Sequence, residues 1–116
     1  MVVGPSNTVV IVGQRMEMKC QVDNGLMVRQ WSIQRTVTLK TDLLFNNVRN
    51  KTRISNGHVG VVVNDNGSGI LYVNSTTFDD AGIYICTVYQ DTMQPSEYRA
   101  NLIVLGKFYC NRWLSV

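Results

Sequence analysis

From Met16 to Val22 apolar and polar residues alternate without a break: Met16, Met18, Cys20 and Val22 are apolar, with Glu17, Lys19 and Gln21 between them. Successive side chains of a strand point to opposite faces, whereas a helix would scatter these seven residues around its axis. The segment is therefore a half-buried strand, and Cys20 points inward. The same period recurs. Val28 to Gln34 alternates about Trp31 and Ile33, and Tyr98 to Leu105 alternates to the end of the apolar pattern. No stretch shows a convincing helical period.

Shorter runs fill the gaps. Val9 to Val12, closed by Gly13, reads as an edge strand that turns into the next. Thr36 to Arg53 holds one short strand or two, with Leu43, Leu44 and Phe45 as its apolar part, and a polar loop. Val59 to Val63 and Ile70 to Val73 flank Asn64 to Gly69, where Asn-Gly supplies the positive φ values of a hairpin. Thr76 to Gly82 is a polar corner, Ile83 to Tyr89 a strand, and Gln90 to Glu97 a loop. Eight or nine short strands predict an all-β sandwich. At 116 residues the chain has room for one such domain, read as residues 1–106 with a tail over 107–116.

Catalysis has no visible constellation. His58 is the only histidine, in the turn-like Ser55-Asn56-Gly57-His58, so neither a histidine triad nor a two-histidine metal site can be assembled. It reads as an ordinary exposed loop residue. Cys20, Cys86 and Cys110 lack the C-x-x-C spacing of a zinc or redox site, and no phosphate-binding glycine loop occurs. No enzyme activity, cofactor or metal is expected. A net charge of +3 is too mild to imply nucleic acid. No apolar run approaches the roughly 18 residues of a membrane span, and no signal peptide follows Met1, so any membrane attachment would come through other segments.

Cys20, Trp31 eleven residues later, and Asp80-Ala81-Gly82-Ile83-Tyr84-Ile85-Cys86 resemble the immunoglobulin superfamily signature of Cys, Trp and D-x-G-x-Y-x-C. The resemblance implies a Greek-key sandwich in which Cys20 and Cys86 bridge the two sheets, Trp31 packs on the bridge, and Tyr84 forms a tyrosine corner. Closing 66 residues would stabilise the fold by about 4 kcal/mol. Such a bridge belongs to an oxidising, extracellular setting. The resemblance also implies that Asp80 pairs with a basic residue at the start of the strand running from Arg53 to Val63, with Arg53 favoured over Arg49. Fifty-four residues between Trp31 and Cys86 leave room for the two extra strands of a variable-type (V-set) domain, and the likeness covers Val9 to Leu105. There are two departures. Tyr98-Arg99-Ala100-Asn101-Leu102 lacks the F-G-x-G bulge of antigen receptors, and Thr76 stands where an apolar residue is usual. The chain thus looks closer to a non-rearranging V domain of an innate or invertebrate immune-type receptor, or of an adhesion protein.

In such a fold function lies in surfaces. Alternation turns Ser32 and Gln34, and Ile83, Ile85, Thr87 and Tyr89, to the outer face of one sheet, with Leu44 or Phe45 adjacent. Apolar Ile85 beside aromatic Tyr89 marks a candidate interface centre. V-set domains pair through this face, so the expected partner is a second copy of the chain or another immunoglobulin-like domain, with Gln34 against its own copy. The end loops offer a second site at Asp91, Met93 and Tyr98. Six basic residues, Arg29, Arg35, Lys40, Arg49, Lys51 and Arg53, against Asp42 alone between Val28 and Arg53 would suit an anionic glycan if they shared a face. Asn50, Asn66 and Asn74 open N-x-[ST] glycosylation sequons. Cys110, beyond the sandwich, suits an intermolecular bridge or a partner in another segment.

Overall fold

The computed structural model describes residues 2–23, 26–46, 51–52, 58–63, 67–89 and 95–106. They form ten strands: β1 (Val2–Val3), β2 (Thr8–Ile11), β3 (Met16–Val22), β4 (Met27–Arg35), β5 (Thr41–Asn46), β6 (Lys51–Thr52), β7 (Val59–Val63), β8 (Gly69–Val73), β9 (Gly82–Tyr89) and β10 (Ser96–Leu105). A 3-10 turn at Phe78–Asp80 precedes β9. One sheet has the order β1-β3-β8-β7 and the other β2-β10-β9-β4-β5-β6. The expected all-β sandwich is present, including both extra strands, β5 and β6.

Strand period decides which residues meet between the sheets. Met16, Met18, Cys20 and Val22 of β3 are all buried, as are Leu71 and Val73 of β8 and Ala100, Leu102 and Val104 of β10. Cys20 is disulfide-bonded to Cys86 across the gap. Trp31, in register with Cys86, is fully buried in the same core.

Sequence period misses β1, because two residues carry no period. The chain pairs with β3 at Val2 and Val3, passes Gly4-Pro5, and runs parallel to β10 from Thr8 to Ile11. Proline has no amide hydrogen to give a ladder, which suits the crossing between sheets. As the sequence suggests, β2 is an edge strand that turns into the next, and that turn carries the chain from the six-stranded sheet to the four-stranded one. β10 keeps continuous register with β9 from Ser96 to Leu102, in keeping with the missing F-G-x-G bulge.

One expectation is corrected in β5. Leu44 and Phe45 were placed beside the outer face, but both are buried in the core between the sheets. The β4–β5 register shifts between Trp31 and Ser32, so Trp31 faces Phe45 while Ser32 faces Leu43. A bulge adds one residue to one strand and so reverses which side later residues take. Leu43, not Leu44, occupies the outer position.

Candidate functional site

Two places on the sandwich concentrate charge or exposed apolar area: the corner before β9 and the outer face of the six-stranded sheet.

The corner is built around Asp80, which is almost wholly buried. Its Oδ2 accepts bonds from the Thr77 amide at 2.7 Å and the Thr77 hydroxyl at 3.1 Å, and lies 2.9 Å from His58 Nε2. Arg35 Nη1 stands 3.8 Å from Oδ1. His58 is therefore no ordinary exposed residue: its side chain is 30% exposed and turned onto the carboxylate. A buried carboxylate needs partners, and the one histidine stands just before β7, within reach. Arg53 and Arg49, the partners expected for Asp80, lie outside the described residues. Tyr84 donates its hydroxyl to the Asp80 carbonyl at 2.6 Å, the expected tyrosine corner. Burial pushes the Tyr84 phenol well above its usual range, the Asp80 charge adds to this, and Arg35 opposes it. Gly82 belongs to this corner because a Cβ there would stand 2.2 Å from the Gln34 carbonyl oxygen. Thr76, at the family's usual apolar position, is buried and gives its hydroxyl to the Gln14 carbonyl at 2.5 Å.

These ion pairs also break up the basic stretch. Arg35 Nε donates to Asp42 at 2.6 Å, and its Nη1 to the Asp79 carbonyl at 2.7 Å, so it is not part of an open basic face. Arg49 and Arg53 lie outside the described residues, as do the Lys51 side chain and the loop positions Asp91 and Met93. Tyr98, the third of the residues expected at the end loops, turns inward. It is half-buried against the core, its Cβ close to Gly4, because residues 98, 100, 102 and 104 share the inward side of β10.

On the six-stranded sheet, Ile85 is buried yet outside the core between the sheets, as expected of an outward side chain. Cross-strand register puts Ser32 and Arg99 on either side of it, and Gln30 and Glu97 on either side of Thr87. The expectation that Ser32, Ile85 and Thr87 lie open to solvent is corrected: each is at most 7% exposed. An inner strand has a neighbour on each side, and its short side chains sit below longer ones. Gln34 is half-buried and Tyr89 is 40% exposed. Sequence reasoning missed one edge of this face. Val9 of β2 and Ile103 of β10 stand in register and are 61% and 45% exposed, an apolar pair extending the row through Ile85. The signal lay in the parallel β2–β10 pairing, a non-local contact. The Thr87 hydroxyl is buried with no hydrogen-bond partner among the described residues.

The strand order, the bridge and the corner agree with the match to the family model of the immunoglobulin V-set domain over residues 3–105. The chain is an immunoglobulin V-set domain. Members of this family are generally not enzymes. No curated protein sequence matches this V-set domain. Among solved structures it is similar to the first immunoglobulin domain of mouse SynCAM 2, with TM-score 0.67 and 24% identity, covering 88% of this chain and 93% of that one. It is also similar to DIP-gamma IG1+IG2, with TM-score 0.66, 16% identity and coverage of 91% and 48%. A third similar structure is the complex of Dpr11 IG1 with DIP-gamma, with TM-score 0.62, 16% identity and coverage of 90% and 51%. The V-set domain thus spans about half the length of the matched chain in the latter two. At such identities the likeness is one of fold. No helix among the described residues is long and apolar enough to cross a membrane.

Proposed function

We propose that this V-set domain is an extracellular recognition or adhesion module that binds a protein partner through the outer face of its six-stranded sheet, the partner being a second copy or another V-type domain. The observation that carries the reading is the apolar row on that face, from Tyr89 at one end through Ile85 to the Val9–Ile103 pair. Aromatic and aliphatic side chains within a polar rim are what protein interfaces bury, and Gln30, Glu97 and Arg99 supply polar surroundings. In a two-fold pair, Gln34 against its copy exchanges amide hydrogen bonds in both directions. Two further supports are the disulfide, which suits an oxidising compartment, and a similar structure that is a complex between immunoglobulin domains. An anionic glycan has less to hold on the described surface, since Arg35 is engaged by Asp42 and Asp80.

Sedimentation from low to high micromolar concentration tests the reading. A dimer is expected, weakened by Gln34→Glu, which sets two like charges across the axis, and by Ile103→Asp at one end of the apolar row. A monomer at every concentration excludes self-association and leaves a different V-type domain as the partner. A dimer lost only on reduction belongs to Cys110.

A further inference from the structure

The sequon Asn74-Ser75-Thr76 lies on the other sheet. Inward burial of Leu71 and Val73 turns Tyr72 to the outer side of β8, and exposed Asn74 follows on that side. Tyr72 is in register with Glu17 on β3 and Gly60 on β7. Its ring reaches across β7: a Cβ at Gly60 would stand 2.2 Å from the Tyr72 hydroxyl oxygen, so only glycine leaves the ring this room. Arg15 links the two residues. Its guanidinium carbon is 4.5 Å from the Tyr72 ring centroid, and its Nη1 donates to Asn74 Oδ1. An aromatic ring and a sequon asparagine two residues apart thus stand together at the end of β8, with one cation on both.

We propose that Asn74 carries an N-linked glycan whose first N-acetylglucosamine lies on the Tyr72 ring, in the place Arg15 fills on the bare chain. The electron-rich ring face that attracts a guanidinium also attracts the polarised C–H bonds on a sugar's face. In the transfer, the Asn74 amide nitrogen bonds to C1 of the terminal N-acetylglucosamine of a polyprenyl-diphosphate oligosaccharide. The bond from C1 to the diphosphate oxygen breaks, the polyprenyl diphosphate leaves with the electron pair, and the nitrogen loses a proton. The third sequon residue accounts for Thr76 at an apolar position. Once folded, Thr76 is 1% exposed with its hydroxyl on Gln14, so the sequon is read before the corner closes. The glycan on Asn74 then stands at the four-stranded sheet, away from the outer face of the six-stranded one.

The chain is secreted from a eukaryotic host restricted to high-mannose glycans and trimmed with an endoglycosidase that leaves one N-acetylglucosamine per occupied site. Peptide mapping should find that sugar on Asn74, and Thr76→Val should remove it there while leaving the Asn50 and Asn66 peptides unchanged. An unmodified Asn74 in folded, secreted protein overturns the site. For the stacking, nuclear Overhauser contacts between the Asn74 sugar and the Tyr72 ring protons are expected in trimmed protein, and their absence overturns it. Asn74→Gln should lower the Tm by about 2–5 °C with Tyr72 present and by under about 1 °C beside Tyr72→Thr. Equal losses in both backgrounds also overturn the stacking. Folded, unglycosylated protein should fail as an acceptor for oligosaccharyltransferase in vitro where the reduced, unfolded chain succeeds; equal transfer to both refutes the order of events.

Discussion

The two outer faces of this sandwich differ although the strands behind them follow the same period. On the four-stranded sheet the outward side chains of β3 are Glu17, Lys19 and Gln21, with Arg15 stacked on Tyr72 and paired with Glu17 at 3.4 Å. On the six-stranded sheet the outward row holds Ile85, Thr87, Tyr89, Val9 and Ile103, and its centre is already closed to water within one chain. Alternation makes one side of each strand face the core, but leaves the other side free to vary. A charged outer face keeps a sheet solvated, whereas an apolar one is an interface or a liability.

The largest expected effect lies where both sheets meet. Asp80 is reached by Arg35 of β4, in the six-stranded sheet, and by His58, which leads into β7 of the four-stranded one. Asp80→Ala should cost about 3–5 kcal/mol in denaturant unfolding, because it removes the buried carboxylate on which the Thr77 amide, the Thr77 hydroxyl and His58 converge, although Arg35 keeps Asp42. A cost below about 1 kcal/mol would show that the corner does not tie the faces together.

The faces themselves are separated by matched substitutions. Ile85→Asp should destabilise the single chain by about 2–4 kcal/mol, since it buries a charge, while Val62→Asp on the four-stranded sheet, at a position 51% exposed, should stay within about 0.5 kcal/mol. Equal costs would erase the contrast drawn above.

Tyr84 gives a smaller effect with a pH signature. Its phenol is held neutral in the fold, so its folded pKa lies above the unfolded one of about 10. The stabilisation is therefore complete below pH about 10 and is lost as pH rises through the folded value. Tyr84→Phe should cost about 1 kcal/mol at neutral pH through the lost bond to the Asp80 carbonyl, and should flatten the alkaline fall. Smallest is Arg15→Ala, expected near 0.5 kcal/mol or less, as its ion pair with Glu17 is half exposed.

Strand period placed most of the strands and most of their inward residues, and the family resemblance implied the bridge. Period two is a local property, so Met16 to Val22 declares its buried side without knowing its neighbours, and Cys20, Trp31 and the Asp80 to Cys86 motif add the arrangement of sheets. Tertiary structure alone decided what depends on register and on contacts between distant segments. The bulge beside Ser32 moved Leu44 and Phe45 into the core and put Leu43 outside. The flanking strands closed Ile85 and Thr87 from water. His58, 22 residues from Asp80, became its partner because β7 and the corner before β9 meet at one end of the sandwich. Val9 and Ile103, 94 residues apart, became one apolar pair through a parallel ladder. No local period encodes such pairings, since a strand's sequence specifies which side is buried but not which strand lies beside it.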